Sequence, residues 1–245
     1  MYSHLKLLSE SQQLKVVGQA GYYLQYIPDA SEAVQIAAVT GNYWSIQYIR
    51  NPSETVQLAA IKAAPAAIES ISDPTPAVQL RVVKEFPLLI SKIVNPTEEA
   101  KLVAARKAYQ VLAYIKDPSE EIQLAAVKNN VGALKHLPNP SERIQFAAIK
   151  IDEWAIEYIK NPTASAQLYA MALNTAMSSF IKEPCYAAQL ATVGHWGWAI
   201  SLITDPPRDL QHAIVHRDRQ AYHQINKPKR STTTLYKKLI KELGE

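Results

Sequence analysis

The apolar and polar positions of this chain recur every 22 residues. Residues 51–62 read NPSETVQLAAIK, residues 117–128 read DPSEEIQLAAVK, and residues 139–150 read NPSERIQFAAIK. A glutamine stands at the seventh position of nine such units and a proline at the second position of eight, with Lys101 filling the missing glutamine position. Periods of 20 to 50 residues are typical of stacked supersecondary units, so the pattern predicts a repeat protein.

Each unit begins with a sequence that predicts a helix start. An Asn or Asp fits the N-cap, the proline fits the first helical position, and a glutamate such as Glu54 fits the third position of a capping box. We therefore expect a first helix of about eleven residues, Pro52 to Lys62 in the third unit. On a helical wheel this segment is apolar nearly all round, with one polar stripe through Thr55 and Lys62. Gln57 lies opposite that stripe, so we expect the repeated glutamine to be buried and bonded to backbone of an adjacent unit rather than to a ligand.

A second, shorter apolar segment follows in each unit, as in residues 154–160 (WAIEYIK). It predicts a helix of about two turns, which the next proline ends. Such a helix is too short to be stable alone and depends on stacking. The sequence thus predicts an all-α protein: an α-solenoid, coiled as a right-handed superhelix, of about ten two-helix repeats over residues 1–226. Residues 227–245 form a basic C-terminal tail, in which Leu235, Leu239 and Leu243 recur at the spacing of a short amphipathic capping helix.

The unit resembles the short two-helix repeats of the HEAT family and of the leucine-rich-repeat variant, which share an Asp/Asn-Pro start and a Val-Arg-x-x-Ala core. Here glutamine stands where those repeats carry arginine. The string NPSETVQLAA is also similar to uncharacterised α-repeats of bacteriophage and microbial proteins. The resemblance covers about residues 7–226 and implies a solenoid architecture. The likeness to bacteriophage repeats implies a host-directed binding role, such as inhibition of a host factor.

Aromatic and basic residues recur on the short second helices. They form one column of Tyr26, Tyr48, Tyr114 and Tyr158 and a second, four positions earlier and on the same face of the predicted helix, of Tyr22, Trp44, Trp154 and Trp198. A basic column of Arg50, Lys116, Lys160 and Lys182 ends the same helices. Second helices usually line the concave face of a solenoid, and exposed Tyr and Trp flanked by cations are typical of interface hot spots. We expect these residues to bind a protein partner. The alternative is that the rings pack between repeats.

The net charge of the chain, +4, is unevenly distributed. Residues 217–245 carry eight Lys or Arg and three Asp or Glu, so this segment sums to +5 and the first 216 residues to −1. The body therefore lacks the basic excess of a nucleic-acid scaffold. The second functional hypothesis is a nucleic-acid-binding protein that combines aromatic stacking with the basic tail. Its contacts would be Lys227, Lys229, Arg230, Lys237, Lys238 and Lys241.

No motif for catalysis, a cofactor or a metal stands out, so we expect a non-enzymatic protein without a cofactor. His212 and His216 lie one helical turn apart, but the intervening glutamate of a zinc motif is replaced by Ala213. The single cysteine, Cys185, excludes an internal disulfide and favours a reducing compartment. With no apolar run of membrane-spanning length, we expect a cytoplasmic protein, in the host cytoplasm if it is viral.

Overall fold

The computed structural model describes residues 3–195, 197–203 and 205–243, and all regular secondary structure in these segments is helical. The α-helices are α1 (Glu10–Gln19), α2 (Glu32–Gly41), α3 (Glu54–Ala63), α4 (Pro76–Glu85), α5 (Glu98–Lys107), α6 (Glu120–Asn129), α7 (Glu142–Ile151), α8 (Ala164–Leu173), α9 (Tyr186–His195), α10 (Arg208–Arg217) and α11 (Arg230–Leu243). Between them lie the 3-10 helices η1 (Ser3–Leu7), η2 (Gly21–Tyr26), η3 (Tyr43–Tyr48), η4 (Pro65–Ser70), η5 (Pro87–Lys92), η6 (Tyr109–Ala113), η7 (Val131–His136), η8 (Glu153–Tyr158), η9 (Thr175–Phe180), η10 (Gly197–Leu202) and η11 (Arg219–Gln224). The α/3-10 pairs follow one another on the 22-residue period, which confirms the expected all-α, solenoid-like repeat array.

The prediction of where each α-helix starts is wrong by two residues. In the third repeat the N-cap is Ser53, with an extended backbone (φ −61°, ψ 159°), and its hydroxyl oxygen accepts the N–H of Val56 at 3.4 Å. Helix α3 therefore begins at Glu54, and Pro52 lies in the preceding turn. A Ser or Thr side chain reaches the third helical amide, whereas the residue before proline is held in extended backbone. Glu54 is thus the first helical residue and not part of a capping box.

The second helix of each repeat is a 3-10 helix of five or six residues, which matches the predicted length of about two turns but adds a helix type that the sequence analysis did not specify. The connection is tight: Ala64, extended at φ −157° and ψ 127°, ends α3 and directly precedes η4. A 3-10 helix rises about 2.0 Å per residue, against about 1.5 Å for an α-helix. Six residues therefore run about 12 Å back along the ten-residue helix of the same repeat. The 22-residue period leaves no room for a longer second element.

The core lies between the α-helices and the 3-10 helices of successive repeats. In the third repeat Val56 and Ala60 of α3 are fully buried, and so is Ile68 of η4. The chain divides into two compact units, residues 1–133 and residues 134–245. The first begins with an apolar cluster that includes Leu5, Val17, Leu24, Ile27 and Val34.

Helix α11 covers the end of the second unit. Its Leu235, Tyr236 and Leu239 pack against a buried cluster that includes Leu210 and Ile214 of α10. The side chain of Leu243, the third leucine of the expected capping helix, lies outside the described residues.

Among the described residues, no helix combines the length and the apolar character needed to cross a membrane.

Candidate binding surface on the 3-10 helices

The 3-10 helices of the first unit expose several of the predicted aromatic side chains. Tyr22 of η2 and Trp44 and Tyr48 of η3 are exposed, and these two helices pack side by side. We call Tyr22, Trp44 and Tyr48 the first aromatic patch. Tyr114, the residue that caps the C-terminal end of η6, is the most exposed ring of the two aromatic columns, with 58% of its surface accessible. Tyr26 differs, because it is half-buried against the N-terminal apolar cluster.

The second unit carries a similar set of rings, which we call the second aromatic patch: Trp154 and Tyr158 of η8, Phe180 of η9 and Trp198 of η10. Trp154, Tyr158 and Trp198 are exposed. Trp154 meets Phe180 of the next repeat edge to face, with ring centroids 5.0 Å apart, and the ammonium of Lys135 lies 4.7 Å from the centre of the Tyr158 ring. These contacts hold the rings on short helices whose other side is buried, so the rings lose little conformational entropy on binding.

The two aromatic columns do not share one face of a helix, contrary to the sequence-based expectation. Residues four apart are rotated by about 40° on an α-helix but by about 120° on a 3-10 helix. Trp44 and Tyr48 therefore leave η3 about 120° apart, and Tyr48 shares the direction of the buried Ser45 three residues earlier.

The basic column lies just beyond the 3-10 helices, in the turns. Arg50, Lys116, Lys160 and Lys182 are all exposed, each two residues after the final aromatic position of its repeat. Acidic residues are interspersed, such as Glu157, exposed on η8 beside Tyr158, and Glu69 of η4, which pairs with Lys92 at 3.4 Å. Mixed charge around exposed rings suits a protein surface better than a bare phosphate chain.

The repeated glutamines form a structural ladder, which we define as Gln13, Gln35, Gln57, Gln79, Gln123, Gln145, Gln167, Gln189 and Gln211. Each side-chain amide N–H donates to the carbonyl five residues earlier, as Gln57 does to Pro52 at 3.0 Å. In five of the nine, the side-chain oxygen also accepts the backbone N–H eighteen residues later, as Gln57 does from Thr75 at 3.1 Å. Gln57 and Gln145 are buried, as predicted, whereas Gln123 is half-buried.

Contacts between the Ser or Thr caps and the acidic helix starts escaped the sequence reasoning. The hydroxyl of Ser31 donates to the Glu10 carboxylate at 2.5 Å, that of Ser53 donates to Glu32, and that of Thr163 to Glu142 at 3.1 Å. Each bond joins the cap of one α-helix to the first residue of the preceding α-helix. The sequence contains the signal for these bonds, because a Ser or Thr at the cap and a Glu at the next position recur 22 residues apart.

The terminal histidines bind side chains of α11. An imidazole nitrogen of His212 lies 3.2 Å from the Ser231 hydroxyl, and one of His223 lies 3.0 Å from the hydroxyl of Tyr236. Across the described chain, no three His, Cys, Asp or Glu side chains group as metal ligands would.

The cations of the tail face solvent around α11. All six predicted contacts, from Lys227 to Lys241, are exposed. Two of them make ion pairs, Lys229 with Asp205 at 2.5 Å and Lys238 with Glu242 at 3.7 Å.

Sequence reasoning also missed an apolar surface on the α-helix side of the second unit. Tyr186 and Leu190 of α9, one turn apart, are exposed, as is Leu168 of α8. We call Tyr186 and Leu190 the α-side pair.

No protein-family model matches the chain, and comparison with curated proteins and with solved structures finds no similar protein.

Proposed function

We propose that this protein is a non-enzymatic repeat scaffold that binds a protein partner through the exposed rings of its 3-10 helices. The observation that supports the proposal most is the exposure of Trp44, Trp154 and Trp198, at 45%, 46% and 54%, on short helices whose opposite sides are buried. A few large aromatic side chains, Trp above all, carry most of the binding energy in protein interfaces.

The charge around the rings favours a protein as partner. Arg50 follows Tyr48 of the first patch, and Lys160 and Lys182 follow Tyr158 and Phe180 of the second. Lys116 follows the exposed Tyr114, and two exposed glutamates, Glu69 of η4 and Glu157 of η8, lie on the 3-10 helices themselves. A nucleic acid would gain most from a continuous cationic stripe, and the exposed cations of α11 are the part of the chain that offers one. The nucleic-acid hypothesis therefore makes a separate prediction: binding depends on α11.

The resemblance of the NPSETVQLAA string to bacteriophage repeats suggests a more specific form of the proposal, in which the partner is a cytoplasmic host factor that the protein inhibits. This narrower proposal requires that the captured partner lose its own activity when it binds the 3-10 helices. A partner that remains fully active in the complex would contradict it while leaving the scaffold proposal in place.

Affinity capture with four variants tests the scaffold proposal. The variants are Trp44→Ala with Tyr48→Ala, Trp154→Ala with Tyr158→Ala, Tyr186→Ala with Leu190→Ala, and Lys237→Gln with Lys238→Gln and Lys241→Gln. Each immobilised variant is incubated with host extract, and quantitative mass spectrometry compares the proteins that it retains with those of the wild-type chain. Circular dichroism melts first establish that each variant unfolds cooperatively.

We expect one or more partners to lose at least about 30-fold in affinity, a hot-spot magnitude, with an aromatic-patch variant. The same partners should be retained by the α-side pair variant and by the α11 lysine variant. Loss with the lysine variant alone, together with binding of a fluorescent oligonucleotide that weakens steeply with salt, would overturn the proposal in favour of nucleic acid.

A further inference from the structure

Trp154, in the second aromatic patch, stands among three carboxylates. Asp152 is the N-cap of η8, and its side-chain oxygen accepts the backbone N–H of Trp154 at 3.0 Å. Glu153 is the first residue of η8, and Glu157 is exposed three residues after Trp154. Because residues three apart on a 3-10 helix eclipse one another, Glu157 leaves η8 on the same side as the Trp154 ring.

Trp44 occupies the equivalent position of η3 without any of these acids. Its N-cap is Asn42, whose side-chain oxygen accepts the Trp44 N–H at 3.2 Å, and Tyr43 and Gln47 stand where η8 carries its two glutamates. The two tryptophans are almost equally exposed, at 45% and 46%. The same local scaffold therefore presents one tryptophan among neutral side chains and the other among acids.

The acids at η8 are unpaired and the indole is free of cations. Among the described residues, no basic side chain makes an ion pair with Asp152, Glu153 or Glu157, and no cation lies over the Trp154 ring. Phe180 meets the indole at an interplanar angle of 70°, a T-shaped contact that fixes the ring but covers at most one of its faces. A ring face and an unpaired carboxylate, Glu157, are thus available on one side of η8.

The lysines near η8 do not cancel the difference between the two tryptophans. Residues 150–160 carry three carboxylates and two ammoniums and sum to −1, whereas residues 40–50 carry only Arg50 and sum to +1. Lys135 of the preceding repeat raises the sum at η8 to 0, and the ammonium of Lys135 lies 4.7 Å from the centre of the Tyr158 ring. One ring of η8 therefore already binds a cation of its own chain, and the other is free to bind one from outside.

An arginine side chain fits the free ring and its carboxylate. The planar guanidinium stacks on aromatic faces and donates two parallel hydrogen bonds to a carboxylate, which an ammonium cannot do in the same geometry. The net charge of the whole chain, +4, disfavours a polycation, because most of the surface would repel it. A single cationic side chain presented by a protein meets the acids of η8 without that penalty.

We propose that Trp154 binds an arginine side chain of the protein partner, an inference that rests on the proposed function. The guanidinium stacks on the indole and pairs with Glu157, while Glu153 and Asp152 add to the attraction. Trp44, without the acids, does not select a cation.

Nuclear magnetic resonance titration of the full-length, ¹⁵N-labelled chain at low ionic strength tests the site without any partner. The probe is the blocked tripeptide acetyl-Ala-Arg-Ala-amide, and the control peptides carry lysine or the uncharged citrulline in place of arginine. The indole N–H signals are assigned from the spectra of Trp154→Phe and Trp44→Phe. We expect the arginine peptide to shift the Trp154 signal at lower concentration than the lysine peptide does, and the citrulline peptide to leave it unchanged.

Variants of the acids make the test specific. Glu157→Gln should raise the Kd of the arginine peptide about two- to fivefold, the range of an exposed ion pair. Asp152→Asn with Glu153→Gln and Glu157→Gln should reduce binding at Trp154 to the level at Trp44, and Asn at the cap is compatible with the fold because Asn42 caps η3. The reciprocal variant, Asn42→Asp with Tyr43→Glu and Gln47→Glu, should create arginine binding at Trp44, a gain that misfolding cannot produce.

Equal shifts with the citrulline peptide, equal affinity at the two tryptophans, or unchanged binding by the triple variant of η8 would each overturn the proposal. If the peptide test fails while Trp154→Ala with Tyr158→Ala still loses a captured partner, the arginine is refuted and the scaffold proposal stands. If the peptide binds as expected while no captured partner depends on the aromatic patches, the cation site stands and the scaffold proposal is refuted.

Discussion

The side-chain oxygen of Gln79 lies 2.8 Å from the backbone nitrogen of Thr97, the residue that caps the α-helix of the next repeat. The amide nitrogen of the same side chain lies 2.9 Å from the carbonyl oxygen of Pro74 in its own turn. One buried glutamine thus satisfies polar backbone groups of two successive turns. Because buried backbone groups need partners, this bridge stabilises the junction between repeats.

We therefore expect Gln79→Ala to destabilise the protein by about 1–3 kcal/mol, since it leaves the Thr97 N–H and the Pro74 carbonyl without their partner. Chemical denaturation monitored by circular dichroism measures the change. Gln25→Ala is the control, because Gln25 is exposed on η2 and bonds only within its own helix, to Tyr22. If both variants unfold at the same denaturant concentration, the ladder does not hold the repeats together.

The repeat architecture could be predicted because the 22-residue period is unbroken, but the type of the second helix could not. Its buried residues Ala155, Ile156 and Ile159 stand at spacings of one and three, which fit a 3-10 helix as well as an α-helix. The choice of a 3-10 helix follows from the short connection after each α-helix and from packing against the neighbouring repeats, which the sequence of the second helix alone does not show. The helix start was misplaced for a similar reason: Asn51 and Ser53 are both good N-caps, and backbone geometry selects Ser53.

The sequence indicated which rings repeat but not the surface that they form. Exposure of Trp44 and Tyr48 agrees with the column pattern, whereas Tyr26, in the same column as Tyr48, is half-buried because it packs near the N-terminal end. The sequence did not show which backbone groups the repeated glutamines bind, because these groups lie in turns five residues before and eighteen residues after the glutamine. Lys101 itself was visible as the exception in the series.

Pro207 should lower the stability of the folded protein relative to a residue that has a backbone N–H and a capping hydroxyl. Its backbone (φ −56°, ψ 148°) is close to that of Thr163 (φ −62°, ψ 156°), which caps α8 through a hydroxyl bond to Ala166 at 3.2 Å. The side-chain oxygen of Gln189 is buried and has no hydrogen-bond partner among the described residues, and Pro207, eighteen residues later, has no N–H to donate. Pro207→Thr should supply both the cap and this N–H. We expect a gain of about 1 kcal/mol, because the cap and the hydrogen bond outweigh the added freedom of the unfolded chain.

The reverse substitution is the matched control. Thr163→Pro keeps a backbone that proline can adopt, but it removes the N–H that Gln145 accepts at 2.9 Å and the capping hydroxyl. It should destabilise the protein by about 1–3 kcal/mol in the same denaturation assay. A loss of stability in Pro207→Thr, or no loss in Thr163→Pro, would contradict the stabilising role of the bond between a ladder glutamine and the N–H eighteen residues later.

Two glycines near the N-terminus should respond oppositely to alanine. A Cβ on Gly21 would lie 2.6 Å from the carbonyl oxygen of Ala38 and even closer to the Ser45 hydroxyl oxygen, both in the next repeat. Gly21→Ala therefore forces the repeats apart, and we expect a loss of about 1–3 kcal/mol. A Cβ on Gly18, inside α1, meets no atom within 4 Å, so Gly18→Ala should stabilise the protein by about 0.5–1 kcal/mol. The melting temperatures of the two variants should shift in opposite directions. A shift in the same direction would show that helix propensity alone, and not the close contact at Gly21, determines the change in stability.

Helix α11 should stabilise the last repeat by covering its apolar surface, and this contribution can be measured separately from that of the lysines of α11. The rings of Tyr222 and Tyr236 stack with centroids 4.1 Å apart, and Lys229 donates its backbone N–H to Gln211 at 3.0 Å. A chain that ends at residue 228 uncovers apolar surface of α10 and removes the final ladder bond. Because each repeat contacts only its neighbours, the loss should begin at this end. We expect a cost of at least about 2 kcal/mol and faster amide hydrogen exchange in α10 than in α7.

The variant that replaces Lys237, Lys238 and Lys241 with Gln removes three exposed charges but keeps Leu235, Tyr236 and Leu239 in place. Its stability should stay within about 0.5 kcal/mol of the wild-type value, as is usual for surface changes. Exchange rates in α10 should also be unchanged, which is why this variant, rather than the truncation, isolates the charge of α11 in binding experiments. If the lysine variant accelerates exchange in α10 as much as the truncation does, the charges and not the apolar contacts hold α11 on the last repeat.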